Sequence, residues 1–129
     1  MREAIADARP VFTMGENNAP RLLFKGEPAA LEIVSAANGE RETGGLYLVR
    51  YSLDADGTLI AERQLLRHPP SGKINKVTLL RNVSSLAFEY PGEPGRKDTL
   101  PNAIAVSLTF AAGDSRIWPR TFVRVSAAR

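Results

Sequence analysis

The feature that most constrains the fold is a period-two alternation of apolar and polar side chains that recurs along the chain. Its cleanest instance places four apolar residues on one face of an extended segment: Ile104, Val106, Leu108 and Phe110. Successive side chains of a β-strand point to opposite faces, so this pattern predicts a strand that buries one face. The sequence therefore predicts a fold rich in antiparallel strands.

Shorter segments with the same alternation lie between clusters of Gly, Pro, Asn and Asp, which favour turns. We predict further strands at Arg21–Phe24, Leu31–Val34, Leu46–Leu53, Thr58–Leu66, Leu86–Tyr90 and Arg116–Val125. Pro119 interrupts the last of these strands. Residues 76–83 fit either a strand or one or two helical turns, and the pattern does not separate the two.

The start of the chain has a different pattern. Residues 2–9 (REAIADAR) are good helix formers, with Ile5 and Ala8 at helical spacing. Pro10 limits this helix, because the residue before a proline disfavours the α region, and continuation to Met14 would need a kink. A helix this short is marginal alone, so we expect it to pack on the strands or to belong to a longer helix.

A helix followed by strands predicts the α+β class. We expect an N-terminal helix packed on antiparallel β-sheets, in a single domain that spans residues 1–129. Residues 1–14 would be the remnant of the helix, and residues 15–129 would form a β-rich head. The chain opens without the apolar segment of a signal peptide, and no apolar run approaches the roughly 20 residues that span a bilayer. We interpret the first helix as truncated from a longer one.

The composition excludes some classes of site. The chain has no cysteine, which excludes a disulfide scaffold, a thiolate metal site and a cysteine nucleophile. The formal net charge is +3, with 17 basic residues interspersed among 14 acidic ones. Such a mild excess gives only a weak indication of an acidic partner.

The residues that suggest acid–base chemistry are isolated from one another. His68, the single histidine, precedes Pro69 in a predicted loop, and a general base there would need a nucleophile and an orienting group. Glu62, Glu89 and Glu93 could act as an acid–base pair, but nothing in the sequence brings two of them together. We therefore expect no catalytic residues and no enzymatic activity.

One segment resembles part of a calcium loop. Asp54-x-Asp56-Gly57 has the initial spacing, but the further oxygen ligands and the terminal glutamate of such a loop are missing. Asp and Gly also favour tight turns, so we interpret this segment as a hairpin turn. We expect no metal site and no cofactor.

The last predicted strand alternates cations and aromatic rings. At a period of two, five residues would share one face: Arg116, Trp118, Arg120, Phe122 and Arg124. Such a stripe could stack bases and neutralise phosphates, as in proteins that bind single-stranded nucleic acid. The alternative is an edge strand whose arginines lie over its aromatic rings and prevent edge-to-edge association. We favour the edge strand.

Four segments, in order, carry a family resemblance. The first, residues 46–66, has a Val-Arg-Tyr core, an acidic-Gly turn, and Leu and Arg on the return strand: Val49, Arg50, Tyr51, Gly57, Leu59 and Arg63. The second is LLRNVSSLAFEY (79–90), and the third is LPNAIAVSLTF (100–110). The fourth is Arg120 and Phe122, which match a closing Arg-x-Phe. Together they resemble the J-type minor pseudopilins of bacterial type II secretion systems. That family usually has a tryptophan in the loop before Leu100, which is absent here.

The resemblance implies a structural component of the pseudopilus tip that supports protein export and does no covalent chemistry. It implies a periplasmic head on a protein anchored in the inner membrane by an N-terminal apolar helix, which a prepilin peptidase cleaves and methylates. The implied partners are the I-, K- and H-type minor pseudopilins and the major pseudopilin. Two alternatives stay open, namely a minor pilin of a type IV or competence pilus and a nucleic-acid-binding module.

The predicted helix also suggests a partner surface. Ile5 and Ala8 lie one turn apart on an apolar stripe, which Phe12 would extend if the helix continued past Pro10. In an intact pseudopilin this helix would run into the filament core. We therefore expect Ile5, Ala8 and Phe12 to contact neighbouring pseudopilin helices.

Overall fold

A computed structural model describes residues 1–14, 20–36, 46–66, 74–91 and 100–125. Within these ranges there are one helix and ten strands, and every strand pairing is antiparallel. The elements are α1 (Arg2–Ala6), β1 (Phe12–Met14), β2 (Pro20–Leu22), β3 (Lys25–Gly26), β4 (Ala30–Ser35), β5 (Tyr47–Leu53), β6 (Leu59–Leu65), β7 (Ile74–Leu80), β8 (Val83–Glu89), β9 (Ala103–Phe110) and β10 (Thr121–Arg124).

The larger sheet has five strands in the order β3-β4-β5-β6-β7. Each strand from β4 to β7 pairs antiparallel with the strand before it in the sequence. The alternation in β5 shows which face of the sheet is covered. Val49 and Tyr51 on one face are buried, whereas Arg50 and Ser52 on the other face are only partly buried. Leu31 and Ile33 of β4 lie opposite Tyr51 and Val49 and extend the same buried face.

The smaller sheet has three strands in the order β10-β9-β8. Two backbone hydrogen bonds connect β8 to the turns of the larger sheet: Val83 N–H donates to Gly57 O and Phe88 N–H donates to Pro28 O, both at 2.8 Å. Gly57 has φ of 79°, and a Cβ there would lie 2.9 Å from Val83 O. A side chain at this position would therefore both strain the turn and obstruct the contact between the sheets.

One hydrophobic core joins these elements. It contains Ile5 of α1, Leu31 and Val49 of the five-stranded sheet, and Ile104 and Val123 of the three-stranded sheet. A small hairpin of β1 and β2 adds Leu22. The two sheets and the helix thus bury their apolar faces against one another.

The expected α+β, pseudopilin-like architecture is wrong, because the described residues are nearly all β and α1 has only five residues. The helix ends at Ala6, because the next two residues bond to the end of β4 instead of extending the helix. The Asp7 carboxylate accepts hydrogen bonds from Ala36 N–H at 2.8 Å and Ser35 Oγ–H at 3.2 Å, and Ala8 forms a β-bridge with Ser35. Pro10 follows, and the chain continues as the strand β1 instead of a kinked helix.

The strand predictions are confirmed in position, with ends that shift by up to a few residues. The segment that fitted either a strand or helical turns is the strand β7. The last predicted strand is much shorter than expected, because regular pairing begins only after Pro119, at Thr121. Proline has no N–H to donate to a neighbouring strand, which explains this limit.

Candidate functional site

The structure separates the three residues that we predicted to contact partner helices. Ile5 is fully buried and Ala8 is nearly so, and both lie in the core. Phe12, at the start of β1, is half exposed. Of the three side chains, only that of Phe12 is exposed and therefore accessible to a partner in this conformation.

The predicted stripe of cations and rings is divided at Pro119. Phe122 and Arg124 of β10, together with Arg120 before it, are exposed. Trp118 is partly buried and packs against the core, so it does not share their face. The sequence pattern assumed one continuous strand and therefore placed Trp118 on the wrong side.

Two arginines of the stripe already have carboxylate and aromatic partners. Arg120 Nη2 lies 2.9 Å from Glu89 Oε1, and its guanidinium carbon lies 4.6 Å from the centre of the Phe122 ring. This pair runs from the residue before β10 to β8, and among the described residues β10 is an edge strand. At Arg120 and Phe122, an arginine thus lies over an aromatic ring of this edge strand.

Arg116 has a comparable environment outside any strand. Its guanidinium lies 2.8 Å from Asp114 Oδ2 and 4.2 Å from the centre of the Phe110 ring, and it donates to Arg81 O at 2.9 Å. The hydrogen bond from Arg116 lowers the pKa of Asp114 to about 2. Arg116 therefore stabilises the chain around the turn that joins β7 to β8.

An apolar groove lies beside α1 on the inner face of the three-stranded sheet. Its volume is about 380 Å³, and seven residues line it: Met1, Ile5, Val106, Trp118, Pro119, Thr121 and Val123. Thr121 lies opposite Val106 in the pairing of β10 with β9, and Val123 is two residues further along the same face. α1 forms one wall, and the segment before β10 forms the other.

The chemistry of this groove suits apolar side chains. None of the described residues that line it carries an ionisable side chain, and Thr121 supplies a hydroxyl at its margin. The volume is within the range of clefts that bind ligands or anchor side chains. The groove can therefore exclude water from an apolar group.

Trp118 has one unusual property. Its indole Nε1 is buried and has no hydrogen-bond partner among the described residues. A buried donor without an acceptor costs about 1–3 kcal/mol, so the ring is held there by packing of its apolar surface. The sequence offered no signal for this, because the inward turn of Trp118 depends on the break at Pro119.

The segment that resembled a calcium loop is a hairpin turn. Asp54 Oδ1 accepts hydrogen bonds from the backbone N–H groups of Asp56 at 2.9 Å and Thr58 at 3.0 Å. The flanking strands pair from Leu53 with Leu59 onward, which confirms the turn interpretation. Within the described ranges, no three His, Cys, Asp or Glu side chains are grouped as metal ligands.

The remaining candidates for acid–base chemistry lie in different sheets of the fold or outside the residues that the structure describes. Glu62 lies in β6 of the larger sheet and Glu89 in β8 of the smaller one. His68 and Glu93 lie outside the described residues. Burial raises the pKa of the Tyr51 phenol to about 12, against a smaller lowering by Arg63, so this core tyrosine stays neutral at physiological pH.

No protein-family model matches this chain, and no curated protein sequence matches it. Across the described ranges, no helix has both the length and the apolar character needed to cross a bilayer.

Proposed function

We propose that this chain is a non-catalytic assembly domain, namely the periplasmic head of a minor pseudopilin of the J type in a type II secretion system. In the full-length protein the head would be anchored in the inner membrane. Its partners would be the I-, K- and H-type minor pseudopilins and the major pseudopilin. The observation that carries the proposal is the apolar groove between α1 and β10. Exposed apolar residues are neighbours of its lining residues in the sequence.

The surface chemistry around the groove favours a protein partner. Ile117 is 89% exposed and directly precedes Trp118 of the groove wall. Phe122 is 54% exposed and lies between the lining residues Thr121 and Val123, on the other face of β10. Phe122 faces away from the groove and lies under Arg120, so Ile117 is the exposed apolar residue that supports a protein partner at the groove.

The resemblance supports the specific family. Its four segments cover most of residues 46–124, and they correspond to the β5–β6 hairpin, to β8 with the end of β7, to β9, and to β10 with the residue before it. The proposal does not depend on an α+β architecture with a substantial helix, which the five-residue α1 contradicts. It depends on the β-rich region, where the resemblance lies.

A nucleic-acid-binding function has less support. Arg116 and Arg120, two of the three cations in the predicted stripe, are engaged by Asp114 and Glu89. A phosphate backbone would have to displace these carboxylates, whereas an apolar protein segment would not. The minor pilin of a type IV or competence pilus stays as an alternative within the same class, and the gene neighbourhood distinguishes it from a type II system.

Association with purified partner heads tests the proposal. We expect the chain to bind the head of an I-type minor pseudopilin from the same genome, measured by calorimetry. Ile117→Glu should weaken this binding by about tenfold or more, because it places a charge beside the apolar surface. Ile74→Glu is the matched control, since Ile74 is also exposed but lies in β7 of the other sheet.

Two results would contradict the proposal. One is that the wild-type chain binds none of the I-, K- and H-type heads. The other is that Ile117→Glu and Ile74→Glu have equal effects on binding. Salt-dependent binding of single-stranded DNA that is lost on substitution of Arg124 would favour the nucleic-acid alternative instead.

A further inference from the structure

The five-stranded sheet has a row of alternating charges on the face opposite to Val49 and Tyr51. Five residues, one from each strand, are neighbours in register: Lys25, Glu32, Arg50, Glu62 and Lys76. Opposite charges on directly facing residues stabilise an antiparallel pair. The row alternates without exception and ends with a lysine at each edge of the sheet.

The two edges of this sheet differ in what they expose. The strand β3 at one edge has only two residues, whereas β7 at the other has seven. Within the described residues, β7 pairs with β6 alone. Ile74 and Val77 of β7 are 53% and 40% exposed and lie on opposite faces of the sheet. A long edge strand with exposed apolar side chains and unpaired backbone groups is a template for a further strand.

We propose that β7 binds an extended segment of a partner protein by strand addition, and that this segment places a carboxylate opposite Lys76. The carboxylate would continue the alternation of the charge row by one strand. The added strand would be antiparallel, like every other pair in the sheet. This surface therefore selects its partner by charge as well as by main-chain hydrogen bonds.

The exposed apolar residues of β7 specify more of the partner. In an antiparallel pair, the residue opposite Val77 precedes the acidic residue by one, and the residue opposite Ile74 follows it by two. Both should be apolar, because they would cover exposed apolar side chains. The recognised segment thus reads, from its amino end, apolar, acidic, any residue, apolar.

A second copy of this chain fits the edge less well. The sequence of β7 is INKVTLL, which contains no acidic residue. No register of two antiparallel β7 strands can therefore place a carboxylate opposite Lys76. The charge row favours a different, acidic segment over self-association through this edge.

The inference does not rest on the proposed function. It concerns β7 of the five-stranded sheet, whereas the proposed pseudopilin contact concerns the groove beside β10. Binding of an acidic strand at β7 and binding of a pseudopilin head at the groove are measured with different probes, so one can fail while the other holds.

Peptide titration tests the strand addition. The probe is the blocked peptide Ser-Thr-Val-Glu-Thr-Ile-Thr-Ser, and the matched probe has Lys in place of Glu. We expect both to perturb the amide NMR signals of β7, with the Glu peptide binding about fivefold more tightly. Lys76→Glu should reverse this order. Lys25→Glu, the same change at the opposite end of the row, should leave it unchanged.

Several outcomes would overturn the proposal. One is that the Glu peptide leaves the β7 signals unchanged at millimolar concentration. Another is that its preference over the Lys peptide persists in Lys76→Glu or is lost equally in Lys25→Glu. A concentration-dependent dimer of the free chain in which the β7 amides become protected would show that a second copy, and not an acidic segment, occupies this edge.

Discussion

Ile5 and Ile74 are the same side chain in two opposite environments. Ile5 lies in α1, which packs against β10 and β4, and it is completely buried. Ile74 begins β7 at the edge of the larger sheet, where five successive residues are exposed. The difference is the presence of a second layer over one residue and its absence over the other. An apolar residue therefore becomes part of the core or part of a surface according to which element covers it, and its hydropathy alone does not decide this.

Truncation of the two isoleucines should give the largest contrast. Ile5→Ala should lower the free energy of unfolding by about 2–5 kcal/mol, because it removes most of a fully buried apolar side chain. Ile74→Ala should change it by less than about 0.5 kcal/mol, because solvent replaces the lost methyl groups. Urea denaturation of both variants measures the difference. Equal losses of stability in the two variants would show that the two regions are packed alike. A small loss for Ile5→Ala would instead favour the prediction from the sequence that Ile5 contacts a partner.

Gly26 provides a smaller test at the junction of the two sheets. A Cβ on Gly26 would lie 2.7 Å from Cζ of Tyr90, whose hydroxyl donates to Glu27 O at 2.8 Å. The Tyr90 ring also meets Phe24 edge-to-face, with ring centres 6.1 Å apart. Gly26→Ala should therefore displace Tyr90 and cost about 1–3 kcal/mol.

A double-mutant cycle separates this displacement from a general effect of alanine in β3. In a Tyr90→Ala background, Gly26→Ala should cost clearly less, since only Cζ of Phe24, 3.0 Å from the added Cβ, still limits the space. An unchanged cost in that background would mean that Tyr90 does not occupy the space above Gly26. Thermal or urea unfolding of the four proteins gives the coupling directly.

Asp7 should give a smaller effect that depends on pH. Burial raises the pKa of its carboxyl, but the hydrogen bond from Ala36, together with Arg9 and Ser35, outweighs this and lowers the pKa below 3.8. A lowered folded-state pKa stabilises the fold above the unfolded value, and this stabilisation is lost as the pH falls through the folded value. Asp7→Asn should therefore cost about 1–2 kcal/mol at pH 7 and less at pH 3.

Denaturation of wild type and Asp7→Asn at both pH values measures this difference. Asp114→Asn is a useful comparison, since the hydrogen bond from Arg116 lowers the pKa of Asp114 as well. We expect the cost of Asp114→Asn to be smaller at pH 3 than at pH 7 too. A cost of Asp7→Asn that grows on acidification would contradict the sign of the pKa shift.

The strands could be predicted from the sequence because their alternation reflects one buried face each. In β9, Ile104, Val106 and Leu108 are buried as the pattern required. The helix was overestimated because propensity ignores the tertiary partners of Asp7 and Ala8, which end it after five residues. The groove could not be predicted, since it depends on how far apart α1 and Trp118 lie after folding. The charge row was also invisible, because register between strands decides which charges face one another.

The outer edge of β7 has no neighbouring strand among the described residues, and this open edge is our central claim. Hydrogen exchange in the isolated chain tests it most directly. The strand β9 has a neighbour on each side, so its amides should exchange only through global unfolding. Alternate amides of β7 point away from β6, and we expect them to exchange much faster than those of β9, with protection restored by the Glu peptide. Uniform protection along β7, equal to that of β9 in the free chain, would show that this edge is already covered and would contradict the account.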